Sequence, residues 1–122
     1  MNSRTLIDTN VILRYLLDDN EEQSLIAEHL IDGDAWTTAE VLAEVTYVLD
    51  CVYNASRKDI AAALQIIENK IELQPQTVCS RAIKEFGESK LDFVDCIVVA
   101  YEKEGVSRVF SFDKELNRRL KN

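Results

Sequence analysis

Short strand-like segments alternate with helical ones along this chain, and that order predicts an α/β fold: a parallel sheet covered on both faces. Two further observations support it. The connections are short, with one proline and three glycines in 122 residues. The segment Phe93-Val94-Asp95-Cys96-Ile97-Val98-Val99 is apolar almost all round, as a buried helix is. A chain of this length with 47% hydrophobic residues buries one core, so residues 1–122 are expected to form a single domain.

Taken in order, Arg4 to Ile7 is expected as a short buried strand and Thr9 to Leu17 as a helix that starts at once after it. Asp18-Asp19-Asn20 breaks that helix, and Glu21 to Ile31 makes another. Gly33 and Asp34 mark a turn into a minimal strand, Ala35-Trp36-Thr37. From Thr38 to Val52 the apolar spacing is helical, with Val41, Val45, Val48 and Val52 on one stripe. Ser56 caps a helix to about Asn69. Ile71 to Leu73 is a strand before Pro75, and Thr77 to Phe86 a helix closed by Gly87. Asp92 to Lys103 is the buried helix, ended by Gly105. Ser107 to Phe112 is a strand, and Lys114 to Leu120 a last short helix.

Bulk properties exclude several classes. No apolar run approaches the roughly 20 residues needed to cross a bilayer. Met1-Asn2-Ser3-Arg4 leads into the first strand with no signal-peptide apolar region. Cys51, Cys79 and Cys96 are odd in number and form no C-x-x-C pair, which fits a reducing cytoplasm rather than a disulfide framework or a thiolate zinc site. A net charge of −8 argues against broad nonspecific grip on nucleic acid. It leaves a phosphodiester substrate open, because ions bound among acids would invert the local charge. Lys114 to Lys121 carries four bases against one acid, either a phosphate-contacting patch or a solvated helix face.

Four acids stand in apolar surroundings where a strand meets a helix or a buried helix opens: Asp8, Glu44, Asp95 and Asp113. A carboxylate at the edge of a core is costly unless a cation neutralises it. In a parallel α/β sheet the functional crevice lies beyond the carboxyl ends of the strands, where Asp8 and Asp113 are expected. Each also has a plain structural reading as a helix N-cap. Asp92 and Asp95 fit an N-cap and N3 pair, which gives Asp92 a structural task and leaves Asp95 without one. On the helix from Thr38, Glu44 lies roughly 95° from the centre of the apolar face and Glu40 roughly 140°. Glu40 also completes a Thr-x-x-Glu capping box with Thr37, so Glu44 is the better ligand candidate and Glu40 the reserve.

Other chemistries are poorly supplied. The single histidine, His29, is expected on a helix surface, so two-histidine and Ser-His-Asp mechanisms lack their parts. Gly33, Gly87 and Gly105 are isolated and form no phosphate loop. Trp36 is expected in the core, and Tyr15, Tyr47, Tyr53 and Tyr101 form no stacking platform.

Four pieces in order carry a resemblance: Leu6-Ile7-Asp8-Thr9-Asn10-Val11, Val41-Leu42-Ala43-Glu44-Val45, Leu91-Asp92-Phe93-Val94-Asp95-Cys96-Ile97 and Ser111-Phe112-Asp113-Lys114. Together they resemble the PIN-domain nucleases, and among them the toxins of VapBC-type toxin–antitoxin pairs. The resemblance implies a three-layer α/β/α sandwich with a central parallel sheet of four or five short strands. It implies a metal-binding quartet at Asp8, Glu44, Asp95 and Asp113 that cleaves RNA, with Thr9, Asn10 or Ser111 as a supporting polar group; Asp92 is expected to support the site as the cap beside Asp95. Family members commonly run on to a last edge strand, whereas this chain stops at Lys121-Asn122.

The expected chemistry is hydrolysis of an RNA phosphodiester with Mg²⁺ or Mn²⁺ held by carboxylates, which suits oxygen-preferring ions and needs no histidine. Expected partners are RNA, a small antitoxin and a second copy of the chain in a homodimer, with no membrane. Leu13, Leu16 and Leu17 with Leu25 and Leu30 offer an apolar patch for a protein partner, or else serve as core. Two other readings compete. A phospho-accepting receiver domain would want adjacent acids after the first strand, where this chain has Thr9 and Asn10. A catalytically silent binding module on the same fold would bind no divalent ion.

Overall fold

The computed structural model describes residues 4–121; the start Met1-Asn2-Ser3 and the last residue, Asn122, lie outside the described residues. The chain divides into two compact units, Met1–Gln74 and Pro75–Asn122.

The first unit is the α/β part. Its order is β1 (Thr5–Leu6), α1 (Thr9–Leu17), α2 (Glu21–Asp32), β2 (Ala35–Thr38), α3 (Ala39–Cys51), α4 (Arg57–Lys70) and β3 (Glu72–Gln74). The strands are parallel in the order β1-β2-β3, with Thr5 opposite Ala35 and Trp36 opposite Glu72. Each connection carries a pair of helices, the crossover a parallel pairing requires. Local signals set the helix ends. The side chains of Asn20 and Ser56 accept the N3 amides of α2 and α4. Asp18 and Asn54 take left-handed backbone angles where α1 and α3 end, a conformation their short polar side chains tolerate.

Ile7, Ile12, Ile31, Leu42, Leu64, Ile67 and Leu73 are among the most deeply buried side chains. Thr37, fully buried on β2, donates its hydroxyl to the carbonyl of Ile7 at 2.8 Å. That bond holds the chain at the step from β1 to Asp8. Thr37→Val keeps the shape and removes the donor, so the expected cost is about 1–2 kcal/mol, read as a lower urea midpoint at unchanged m value.

The second unit is helical: α5 (Gln76–Glu88), α6 (Phe93–Lys103) and α7 (Lys114–Arg119). α5 buries Val78, Cys79, Ala82, Ile83 and Phe86, and α6 buries Phe93, Cys96, Val99 and Ala100. The two helices pack on each other, with the Phe86 and Phe93 rings 6.0 Å apart. Gly105, at φ 74°, ends α6 in the left-handed turn that glycine allows.

Several expectations are corrected. Ser107 to Phe112 pairs with no strand among the described residues, so three strands are present rather than four or five. Two of its backbone groups are spent locally: the Ser107 amide donates to the Tyr101 carbonyl, and Asn117 Nδ2 donates to the Ser111 carbonyl at 2.9 Å. Phe110 and Phe112 stay exposed and pack edge to face on one another, 5.0 Å apart. Alternating apolar residues suit a strand, but they do not supply its neighbour.

α5 also runs through Gly87 to Glu88, since Gly87 is not in a left-handed turn. The N-cap of α3 is Thr38, not Thr37, so Glu40 has no capping-box partner. The buried face of α3 is Ala39, Leu42, Val45, Thr46 and Leu49, while Val41 and Val48 are half-buried and Val52 is exposed. Trp36 is half-buried, with the Arg4 guanidinium 5.4 Å above its ring and that same guanidinium paired with Glu72. No helix of the described residues is long and apolar enough to cross a membrane.

Candidate functional site

In the first unit, Ile7 links β1 to Asp8, which N-caps α1 by accepting the Val11 amide on Oδ1 at 3.2 Å. The capping role foreseen for this residue is therefore real. It occupies one carboxylate oxygen; Oδ2 makes no hydrogen bond among the described residues. The next residue, Thr9, is buried and donates its hydroxyl to Glu44 Oε1 at 2.5 Å. That bond draws the α3 carboxylate toward the start of α1. Asp8, Thr9, Asn10, Arg14, Glu44 and Tyr53 are among the residues lining one cleft of about 260 Å³. Glu40 and Glu44 are both exposed, but Glu40 does not line the cleft. Geometry thus separates Glu44 from Glu40, although not through the capping box.

In the second unit, Asp92 N-caps α6 by accepting the Asp95 amide at 2.9 Å, the N-cap and N3 pairing that the sequence suggests. The Asp95 side chain is half-buried, and no ion pair reaches it among the described residues. Burial pushes its carboxyl above the ordinary aspartate range, and the charges of Asp92 and Asp113 push the same way. Asp113 N-caps α7 through the Leu116 amide at 3.0 Å, and its own amide donates to Ser111 Oγ at 2.9 Å. Ser111 therefore shapes the turn that presents Asp113. Asp113 does not follow a paired strand, contrary to expectation.

The four acids thus come in two pairs, Asp8 with Glu44 and Asp95 with Asp113. No group of three or more His, Cys, Asp or Glu side chains able to hold a metal ion forms among the described residues. The donor chemistry still fits a hard divalent cation. Every ligand candidate is a carboxylate, the type Mg²⁺ and Mn²⁺ favour. The charges of Asp92 and Asp113 both act on Asp95, which has no ion-pair partner among the described residues. Asp8 and Asp113 each keep one oxygen clear of their capping bond.

Elsewhere, His29 is exposed, and the three cysteines are free thiols, Cys51 exposed and the others buried. Within the basic C-terminal stretch, Arg118 forms an exposed pair with Glu115, Arg119 pairs with Glu85 and Glu88, and the Lys121 ammonium donates to the Lys103 carbonyl. Of the proposed apolar patch, Leu13 is core, Leu16, Leu17 and Leu30 are half-buried, and Leu25 is 61% exposed.

One charged residue escaped the sequence reading. Glu85 is 1% exposed, with Lys103 on Oε1 and Arg119 Nε on Oε2 at 2.9 Å. Burial pushes its carboxyl up, but the hydrogen bonds and charges of Arg119 and Lys103 together hold it below the ordinary glutamate range. A signal was present: Val78, Ala82 and Glu85 recur at helical spacing on one stripe.

The PIN domain family model matches residues 5–121. The chain is 28% identical over 123 residues to a VapC ribonuclease of Aquifex aeolicus (strain VF5), an alignment covering 93% of this chain and 90% of that protein. No solved structure matches it. The family match runs from the first strand to the last helix and spans all four acids, and on that ground the chain belongs to the PIN-domain family.

Proposed function

We propose that this protein is a divalent-metal-dependent endoribonuclease, working as one domain, and the toxin of a toxin–antitoxin pair. Asp8, Glu44, Asp95 and Asp113 are its metal ligands. The observation that carries this reading is the cleft that Asp8 and Glu44 both line, with the Thr9 hydroxyl bonded to Glu44. Likeness to a VapC ribonuclease supports RNA as the substrate. It also supports a small antitoxin as partner; a second copy of the chain as partner and the cytoplasm as location belong to the same proposal. Mg²⁺ or Mn²⁺, when bound, supplies a lowered pKa for water and a counter-charge for the phosphodiester.

The chain's own residues do the rest. The α1 and α7 amides fix Asp8 and Asp113 by one oxygen each, leaving the other to face a cation. Thr9 orients Glu44, and Asp92 holds the first turn of α6 so that Asp95 keeps its place. The net charge of −8 then favours RNA only where a cation intervenes.

Glu44→Gln against Glu40→Gln tests the assignment, since both lie on α3. Partners one step removed from a metal cost 10–100-fold when mutated, so a direct ligand should cost at least about 100-fold in RNA cleavage. Glu40→Gln should leave the rate within about two-fold, as a surface substitution does. Equal effects would refute Glu44 as the ligand. Cleavage that survives EDTA undiminished would refute metal dependence altogether.

A further inference from the structure

We propose that Glu85 is a positioning residue: its carboxylate clamps α6 to α7 and so sets the placement of Asp95 relative to Asp113. The inference rests on the reading above of those two acids as metal ligands. Its two oxygens are divided between the two helices, Oε1 taking Lys103 at the end of α6 and Oε2 taking Arg119 at the end of α7. Each helix carries one of the acids at its opposite end, Asp95 in the first turn of α6 and Asp113 at the N-cap of α7. Both helices are thus tied at the far end by one buried group.

α7 depends on that tie. Six residues are far too few for a helix to persist on its own, and Leu116 is its one buried residue. A rod of that length, about 9 Å, turns a shift at Arg119 into a comparable shift at Asp113. Beside the clamp, the Lys121 ammonium donates to the Lys103 carbonyl at 3.1 Å and the Lys121 amide to the Glu102 carboxylate. Arg119 also reaches Glu88 at 3.6 Å. Stability alone does not require this arrangement. Apolar residues of similar volume often fill the place of a buried ion cluster at no loss. What they lack is the directional, two-pronged geometry that fixes one register.

The experiment compares Mn²⁺ affinity, followed by paramagnetic resonance of the free ion, in the full-length chain. Glu85→Gln is expected to weaken Mn²⁺ binding about 10- to 100-fold, as other supports of metal ligands do. RNA cleavage should recover as Mn²⁺ is raised. The triple variant Glu85→Leu, Lys103→Met, Arg119→Met should melt no lower than the wild type yet bind Mn²⁺ as weakly as Glu85→Gln. Arg119→Lys, which keeps the charge but moves the donor, should bind several-fold more weakly than wild type and serves if the triple variant does not fold. Wild-type affinity in Glu85→Gln or Arg119→Lys, or recovery of affinity in the triple variant, would overturn the proposal alone. A wild type that binds no Mn²⁺, or an Asp95→Asn variant that binds it undiminished, would instead bring down the ligand assignment and the proposal with it.

Discussion

Asp95→Asn is expected to lower metal-dependent RNA cleavage at least about 100-fold, or about 2.7 kcal/mol of barrier, while leaving the metal-free protein at least as stable as the wild type. The two effects have one origin. Burial, then the charges of Asp92 and Asp113, raises the Asp95 carboxyl in the folded chain. A raised acid contributes stability that is fully present below its unfolded value, 3.8, and lost as pH rises through the folded one. At neutral pH the metal-free wild type therefore carries an unrelieved charge that the amide removes. The stability gain of Asp95→Asn should be visible in EDTA at pH 7 and vanish in acid. Urea titrations at the two pH values, alongside cleavage assays, read both arms. A variant that cleaves normally, or loses stability in EDTA at pH 7, would show that Asp95 is a structural residue.

The same acids show what local sequence discloses and what it does not. The caps at Asp8, Asp92 and Asp113 were legible because capping is a contact across three residues. Helix positions were legible for the same reason, with α1 found at its observed bounds. Thr38 rather than Thr37 caps α3 because Thr37 is claimed by a distant group, the Ile7 carbonyl. Strand formation at Ser107 to Phe112 failed as an expectation because a strand exists only with a neighbour, which no window of residues contains. The Thr9–Glu44 bond spans 35 residues and Arg119–Glu85 spans 34, beyond any periodicity argument. The angle from the apolar face of α3 singles out Glu44 and the family resemblance agrees; Glu44 lines the cleft with Asp8.

Glu85→Leu is expected to destabilise the chain by about 3 kcal/mol at neutral pH, toward the lower end for breaking a buried ion cluster, because Lys103 and Arg119 retain some solvent. Glu115→Ala, which breaks the exposed Glu115–Arg118 pair, should cost no more than about 0.5 kcal/mol. Both remove a carboxylate–cation bond, so the contrast isolates burial. The pH dependence has a definite sign. Glu85 is depressed in the folded chain, so its contribution is present above the unfolded value of 4.5 and lost as pH falls through the folded one. The gap between wild type and Glu85→Leu should therefore be full at pH 7 and close below pH 4.5, the opposite direction to Asp95. Urea midpoints across that range decide the matter: a gap that stays open in acid would mean that the leucine fails by shape, not by charge. A gap that closes would show that two acids of one helical unit act oppositely, Glu85 stabilising the fold by its ionisation and Asp95 opposing it until a cation arrives.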